Sequence, residues 1–393
     1  MTPPRTRRSA LNPLFGGNTL KLGLFCTNGS GASQTLVPEA SETSWAMSLR
    51  TARAADRAGF EAVVPFARWK GYPENSPGHR SGRVMDPFTW AAGIAAATEN
   101  IGVLATSHAP TLHPIVAAKQ AATVDRISGG RFALNVVGGW NRPELEMFGA
   151  PLREHDERYD HLAEWLQVTR RLWTETGEFD FHGSFFDVVG GVSEPKPVQP
   201  AIPIMNAGGS PRGMRFAAEH ADLCFVIVHS EDEDEIRDQI QGYKQMARDE
   251  FGREVRVWTH TAVVQRDTGA EAEAYYRRFS VEQEDTGSVD AWMRLQGANT
   301  QVMPPAVLAA MRQRFAAGAG GFPLVGTAET ISERLAMLSR AGIEGALLTW
   351  VDYDAGLDAF TREVLPRLED AGLRAPVGPL TSSAGHAEPA VIG

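Results

Sequence analysis

Cysteine is nearly missing. Cys26 and Cys224 are the two in 393 residues, far apart and with no CxxC spacing. That excludes a disulfide scaffold and fits a reducing, cytoplasmic setting. Positive charge is short as well. The 48 acidic residues outnumber the 38 basic ones, for a formal net charge of -10. Such a surface repels a phosphate backbone, so nucleic acid is not an expected partner. Arg5, Arg7 and Arg8 have no interleaved aromatics and read as part of a flexible tail. No apolar run has the length of a membrane span, and no apolar h-region follows the first residues, so neither a span nor a secretory signal is expected. The familiar catalytic signatures are missing too: no HExxH, no GxSxG, no Walker loop and no GxGxxG after the first strand-like run. His108 and His113 flank a turn at Pro110 and cannot share one helical face, so they read as loop histidines rather than metal ligands.

What the chain does have is alternation. Strand-like runs recur at Leu20 to Phe25, Glu61 to Phe66, Ile101 to Thr106, Phe132 to Val137, "IPIMNA", Leu223 to Val228, "EVRVWTHTAVV" and Gly345 to Trp350. Helical segments separate them. One opens on an Asp cap followed by Pro ("DPFTWAAGIAAAT"), and another closes at Gly59. Eight strand-helix units predict an α/β fold, a closed (β/α)₈ TIM-like barrel with insertions, as one domain over residues 19–370. Two stretches break the repeat. Phe179 to Val189 predicts a small hairpin, and residues 280–322 an insertion that folds over the barrel mouth as a lid. Residues 1–18 and 371–393 read as flexible tails.

Active sites of such barrels lie at the C-terminal ends of the strands. The polar residues expected there are Cys26 to Asn28, Arg68, Thr106, Asn135, Asn206 to Ser210, His229 and Thr349 to Tyr353. "NAGGSPRG" joins a strand to a helix beginning near Pro211. Its glycines bare backbone N–H groups at a helix N-terminus, which suits an anion; Ser210 reads equally as a plain helix cap. "HDERYDHL" sets Arg158 and Tyr159 at the start of another helix, either as a solvated face or as phosphate contacts. In the strand from Phe132 to Val137, Asn135 shares a face with Ala133 and Val137. An amide among apolar neighbours needs partners: it is either a satisfied core asparagine or a group aimed at a flat ring across the mouth. Thr106 ends a neighbouring strand and is placed to join it.

Together "AATVDRISGGRFALNVVGGW", "EHDERYDHLAEW", "NAGGSPRGMRFAAEHAD" and "GALLTWVDYDAGLDAFTREVLPRL" resemble the bacterial luciferase-like family of flavin-dependent monooxygenases, from about Leu20 to Leu368. Within it the likeness is greatest to the pyrimidine monooxygenases, then to the dimethylsulfone and alkanesulfonate monooxygenases. The resemblance implies a two-component enzyme that takes reduced FMN from a separate NAD(P)H-dependent flavin reductase. With O₂ it would oxygenate a small pyrimidine, amide or N-heterocycle through a flavin peroxide or flavin N5-oxide. It implies FMN contacts at Ala67, Arg68, Asn135, Glu144, Arg158, Tyr159 and Ser210. Oxygen handling falls to Thr106 and Asn135, and weaker substrate contacts to Phe66, Trp69, Lys70 and Trp350. A dimer or tetramer is implied. Three alternatives remain: a C–S-cleaving sulfone or sulfonate monooxygenase, a deazaflavin-dependent oxidoreductase, and a non-catalytic flavin binder.

Overall fold

The structure, a computed structural model, describes residues 12–296 and 304–377. In chain order the strands are β1 (Lys21–Phe25), β2 (Ala62–Val64), β3 (Gly102–His108), β4 (Phe132–Val137), β5 (Phe179–His182), β6 (Asp187–Gly191), β7 (Ile204–Asn206), β8 (Leu223–Phe225), β9 (Arg256–Gln265), β10 (Phe322–Gly326) and β11 (Gly345–Thr349). Eight of them close a parallel barrel in the order β1, β2, β3, β4, β7, β8, β9, β11 and back to β1. These are the eight expected runs. β5 and β6 form the expected antiparallel hairpin. The capping signals also hold: Asp86 caps Pro87–Ala97, and Ser210 caps Pro211–His220.

Parity along each strand separates two cores. Ala62, Val64, Leu104, Ala133, Met205, Leu223, Phe225, Trp258 and Leu347 point inward and fill the lumen. Residues one step away, such as Val63, Val103, Leu134 and Leu348, pack against the surrounding helices. The lumen is tight. A Cβ on Gly345 would lie 2.1 Å from the Trp258 ring, so the indole occupies the space that a side chain on β11 would need.

Three expectations need correction. Residues 12–18 are not a loose tail. The turn Pro13–Phe15 inserts Leu14 into the lumen from below, and Asn12 donates from Nδ2 to the Phe132 carbonyl at 3.0 Å. At the other terminus Arg374 forms a buried ion pair with Glu61 at 2.8 Å, so the folded part runs past residue 370. The rest of the two expected tails, 1–11 and 378–393, lies outside the described residues. Finally, the stretch 280–322 ends at a strand that the eight-unit count did not contain. β9 is ten residues long; it pairs along one edge with β8 and then β10, and along the other with β11.

The described part of that stretch sits on the barrel mouth. Helix Pro305–Gly318 is held from several sides. Ser33 donates to the Ala317 carbonyl at 2.8 Å, Arg314 reaches the Val228 carbonyl at 2.6 Å, and His260 lies 3.0 Å from the Gly318 carbonyl. Trp292 stacks on Phe315 with centroids 4.1 Å apart, and Tyr72 meets Phe315 edge-on. Residues 297–303 lie outside the described residues. Among the described residues, no helix is long and apolar enough to cross a membrane.

A paired substitution tests the packing of the lumen. Gly345→Ala must displace Trp258 and should cost about 1–3 kcal/mol in urea unfolding. Gly242 lies inside helix Glu233–Phe251 with open space around it. Gly242→Ala should be neutral or add up to about 1 kcal/mol. Equal effects from the two would show that the lumen has slack.

Candidate active site

The β3–β4 pair sets the centre of the site. Thr106 and Asn135 are direct register partners on adjacent parallel strands. Both follow the inward parity of Leu104 and Ala133, at the C-terminal end of the lumen. Asn135 donates from Nδ2 to Thr106 Oγ1 at 3.1 Å, and Thr106 Oγ1 donates to the Pro65 carbonyl at 2.6 Å. The hydroxyl proton is thus engaged within the protein. What the pair presents is an acceptor: Asn135 Oδ1 is buried without a hydrogen-bond partner among the described residues.

Beside it lies a buried charged group built from three loops. Glu144, at the first turn of helix Arg142–Met147, accepts from the backbone N–H groups of Trp69 at 2.9 Å and Lys70 at 3.2 Å. It thereby clamps the loop after β2. Arg68 Nε stands 3.6 Å from the same carboxylate, and Arg68 Nη2 donates to the Tyr72 hydroxyl at 2.8 Å. The guanidinium also lies over the rings of Tyr72 and Trp140. Arg68 Nε and Nη1 remain buried without a hydrogen-bond partner among the described residues. His108, ending β3, lies 3.9 Å from Glu144. Burial pushes its pKa down to about 4, so at neutral pH this contact is a neutral ring beside a carboxylate rather than an ion pair. Cys26 closes the group at the end of β1 with a φ of 64°, an uncommon conformation for an L-residue, and burial pushes its thiol well up.

A second end of the site is made by two helix N-termini. Helix His155–Thr174 carries Arg158 and Tyr159, and helix Pro211–His220 begins after Ser210. A Cβ on Gly213 would lie 2.4 Å from the Tyr159 hydroxyl, so the two helix starts touch. Gly208 packs against the backbone of Gly213, where any Cβ would clash, and Gly209 faces open space. Arg158 donates from Nη1 to the Gly139 carbonyl at 3.2 Å, which ties this end to the loop after β4. Ser210 Oγ accepts from the Gly213 N–H at 3.1 Å. As an acceptor in that cap it keeps its own hydroxyl proton, so capping and ligand binding do not compete.

The structure therefore brings Ala67, Arg68, Thr106, Asn135 and Glu144 to one end of the mouth, and Arg158, Tyr159 and Ser210 to the other. Phe66 lies beside this group, its backbone bound to the Asn28 side chain. Trp69 is half-exposed, edge-on to Phe148, and Lys70 is exposed. Trp350 is elsewhere. It has the outward parity of Ala346 and Leu348, and its ring packs on Tyr353 and Phe360 between barrel and helices, away from the group around Asn135. The sequence reading missed Tyr72 and His260. His260 was findable, because "RVWTHTAVV" alternates and puts it on the face of Trp258. Among the described residues, no group of three or more His, Cys, Asp or Glu is placed to hold a metal ion.

Comparison with known proteins shows the family. The luciferase-like monooxygenase family model matches residues 20–345. The pyrimidine monooxygenase RutA of Acinetobacter baylyi is 30% identical over 386 residues, spanning 93% of this chain and 100% of that protein. RutA of Cronobacter turicensis is 33% identical over 292 residues, 72% of this chain and 75% of that one. In fold, DmoA from Hyphomicrobium sulfonivorans superposes with a TM-score of 0.78 at 19% identity, over 92% of this chain and 91% of that one. With its barrel, its polar mouth and a family match over most of its length, the chain belongs to the flavin-dependent luciferase-like monooxygenases.

Proposed function

We propose that the chain is the oxygenase component of a two-component system, using reduced FMN and O₂ to oxygenate a small pyrimidine, amide or N-heterocycle. The observation that carries this reading is a group of buried polar atoms around the mouth with no hydrogen-bond partner among the described residues, among them Asn135 Oδ1, Arg68 Nε and Nη1, and Arg158 Nε. Buried polar groups are normally paired, so a ligand rich in both donors and acceptors accounts for them. An isoalloxazine ring with a phosphorylated side chain has that character. The RutA relatives support the pyrimidine or amide substrate class.

In this reading Arg158 and Ser210 hold the phosphate, helped by the helix N-terminus behind Ser210. Tyr159 borders the same end. Asn135 Oδ1 accepts from the ring, and Arg68, stiffened by Tyr72 and Glu144, lies along its edge. Reduced FMN, when bound, supplies with O₂ the oxygen transfer that side chains cannot perform. The protein orients the reactants and keeps water out. The described part of the segment 280–322, with helix Pro305–Gly318, covers the mouth in this scheme. The electrons come from a separate NAD(P)H:flavin reductase, in keeping with a chain that lacks a GxGxxG nicotinamide fingerprint. A product screen with FMN, a generic flavin reductase and NADH over uracil-like amides, N-heterocycles, sulfones and sulfonates tests the whole reading. Turnover confined to sulfones and sulfonates would replace the substrate class.

Three predictions follow from these roles. The purified protein should be nearly colourless and, in anaerobic titration, bind reduced FMN more tightly than oxidised FMN. Stoichiometric yellow FMN reduced directly by NADH would remove the two-component model. Arg158→Ala should weaken FMN by about 1.5–3 kcal/mol, the range for a hydrogen bond to a charged group before solvent screening, while riboflavin changes little. Equal losses for both flavins would take Arg158 off the phosphate. Thr106→Val deletes the link between Asn135 and Pro65 while keeping the shape. We expect FMN still to bind, oxygenation to fall about tenfold, the scale of one lost hydrogen bond positioning Asn135, and reducing equivalents to appear as free H₂O₂. Thr106→Ser should recover most of the product. Product formation by Thr106→Val at the parent rate would return Thr106 to a purely structural role.

A further inference from the structure

Across the lumen from Thr106 and Asn135 stands a third inward residue. β9 is four places from β3 in the eight-strand circuit, so His260 faces the β3–β4 pair from the opposite wall. It is 2% exposed, and its ring centroid lies 5.4 Å from those of Phe25 and Phe225, tilted at 55° and 53°. Nε2 lies 3.0 Å from the Gly318 carbonyl and 3.3 Å from the Ala319 carbonyl. Two carbonyl oxygens can only accept, so the ring proton belongs on Nε2. Burial pushes the imidazole pKa down to about 4, which keeps the ring neutral at pH 7. Gly321 crowds the Cδ2–Nε2 edge, where a Cβ would come within 2.8 and 3.1 Å of those atoms. Nδ1 is on the other edge, a lone pair buried with no partner among the described residues.

We propose that His260 Nδ1 is the acceptor for an N–H group of the substrate, which lies against Phe25 and Phe225. His260 is then the residue that selects N–H-bearing lactams and amides over sulfones and sulfonates. The inference rests on the function proposed above and narrows its substrate class. The physical basis is that the tautomer is fixed from behind. With Nε2–H committed to the end of helix Pro305–Gly318, the ring cannot turn a donor towards the lumen. A sulfone or sulfonate carries oxygen lone pairs only and would meet His260 lone pair to lone pair, whereas a lactam N–H satisfies it. A buried acceptor left unpaired is costly, so the discrimination works against the wrong ligand as well as for the right one.

The test uses two matched pairs, uracil with 1,3-dimethyluracil and 2-pyridone with N-methyl-2-pyridone, plus dimethyl sulfone. Binding to the FMN-loaded protein is measured by calorimetry, and the histidine ring nitrogens are followed by ¹⁵N NMR. Between pH 6 and 8 the His260 Nδ1 resonance should be that of an unprotonated nitrogen. An N–H ligand should move it, and the methylated ligands and the sulfone should not. His260→Phe should weaken the N–H ligand at least about tenfold, the scale of one hydrogen bond, and leave its methylated partner unchanged. That second comparison separates the hydrogen bond from the bulk of the methyl group. His260→Gln, which keeps a donor for Gly318 and supplies an amide oxygen, should restore most of the difference. If His260→Phe does not fold, the glutamine variant and the NMR titration decide. A proton on Nδ1, equal losses for both members of a pair, or no preference of the parent protein for either N–H ligand would overturn the proposal. Discrimination without oxygenation of any probe would leave His260 in place and count against the proposed function instead.

Discussion

One buried carboxylate holds the working end of this molecule together. Glu144 is reached by two backbone N–H groups from the loop after β2, by the Arg68 guanidinium, and by His108 at the end of β3. It comes itself from the short helix after β4. Three successive strand ends are thereby tied to a single side chain. A carboxylate buried this deeply is tolerable because Oε1 accepts from two backbone N–H groups and faces the Arg68 guanidinium. The same engagement gives the loop carrying Ala67 to Lys70 a defined backbone course. Arg68 then extends the network through Tyr72 to the Phe315–Trp292 stack, so the mouth and the segment above it share one continuous set of contacts.

Much of this was legible in the sequence, because its cause is local. Eight apolar runs punctuated by caps and glycines specify the barrel circuit, and period-two alternation puts Asn135 inside. The Ser210 cap could be read from "GGSPRG". What was not legible depends on contacts distant in the chain. Leu14 belongs to no periodic segment, and its role as a plug comes from a barrel closed by residues hundreds of positions away. β10 is a strand only because the upper half of β9 extends beyond β8 and leaves an edge to pair with. The donor direction of Thr106 turns on the Pro65 carbonyl, which no spacing rule connects to it.

Trp350 and His260 teach a different lesson. Both lie in runs whose parity is open to reading, yet residue type singles out Trp350 and not His260. Trp350 stands one step beyond Thr349, which points inward, and so faces the helices. His260 stands two steps beyond Trp258 and so faces the lumen. A large aromatic at a strand end attracts attention as a binding surface, but side-chain direction along a strand outranks residue type in deciding what can reach a ligand.

The filled lumen has a consequence for traffic. Leu14 stops the barrel from below, and Trp258 occupies the room opposite Gly345, so the barrel is a cup and not a tube. Everything that reaches Asn135 must enter and leave by the same rim. In the reading proposed above, a cofactor, a gas and an organic molecule would share that doorway, and their exchange would be coupled through it.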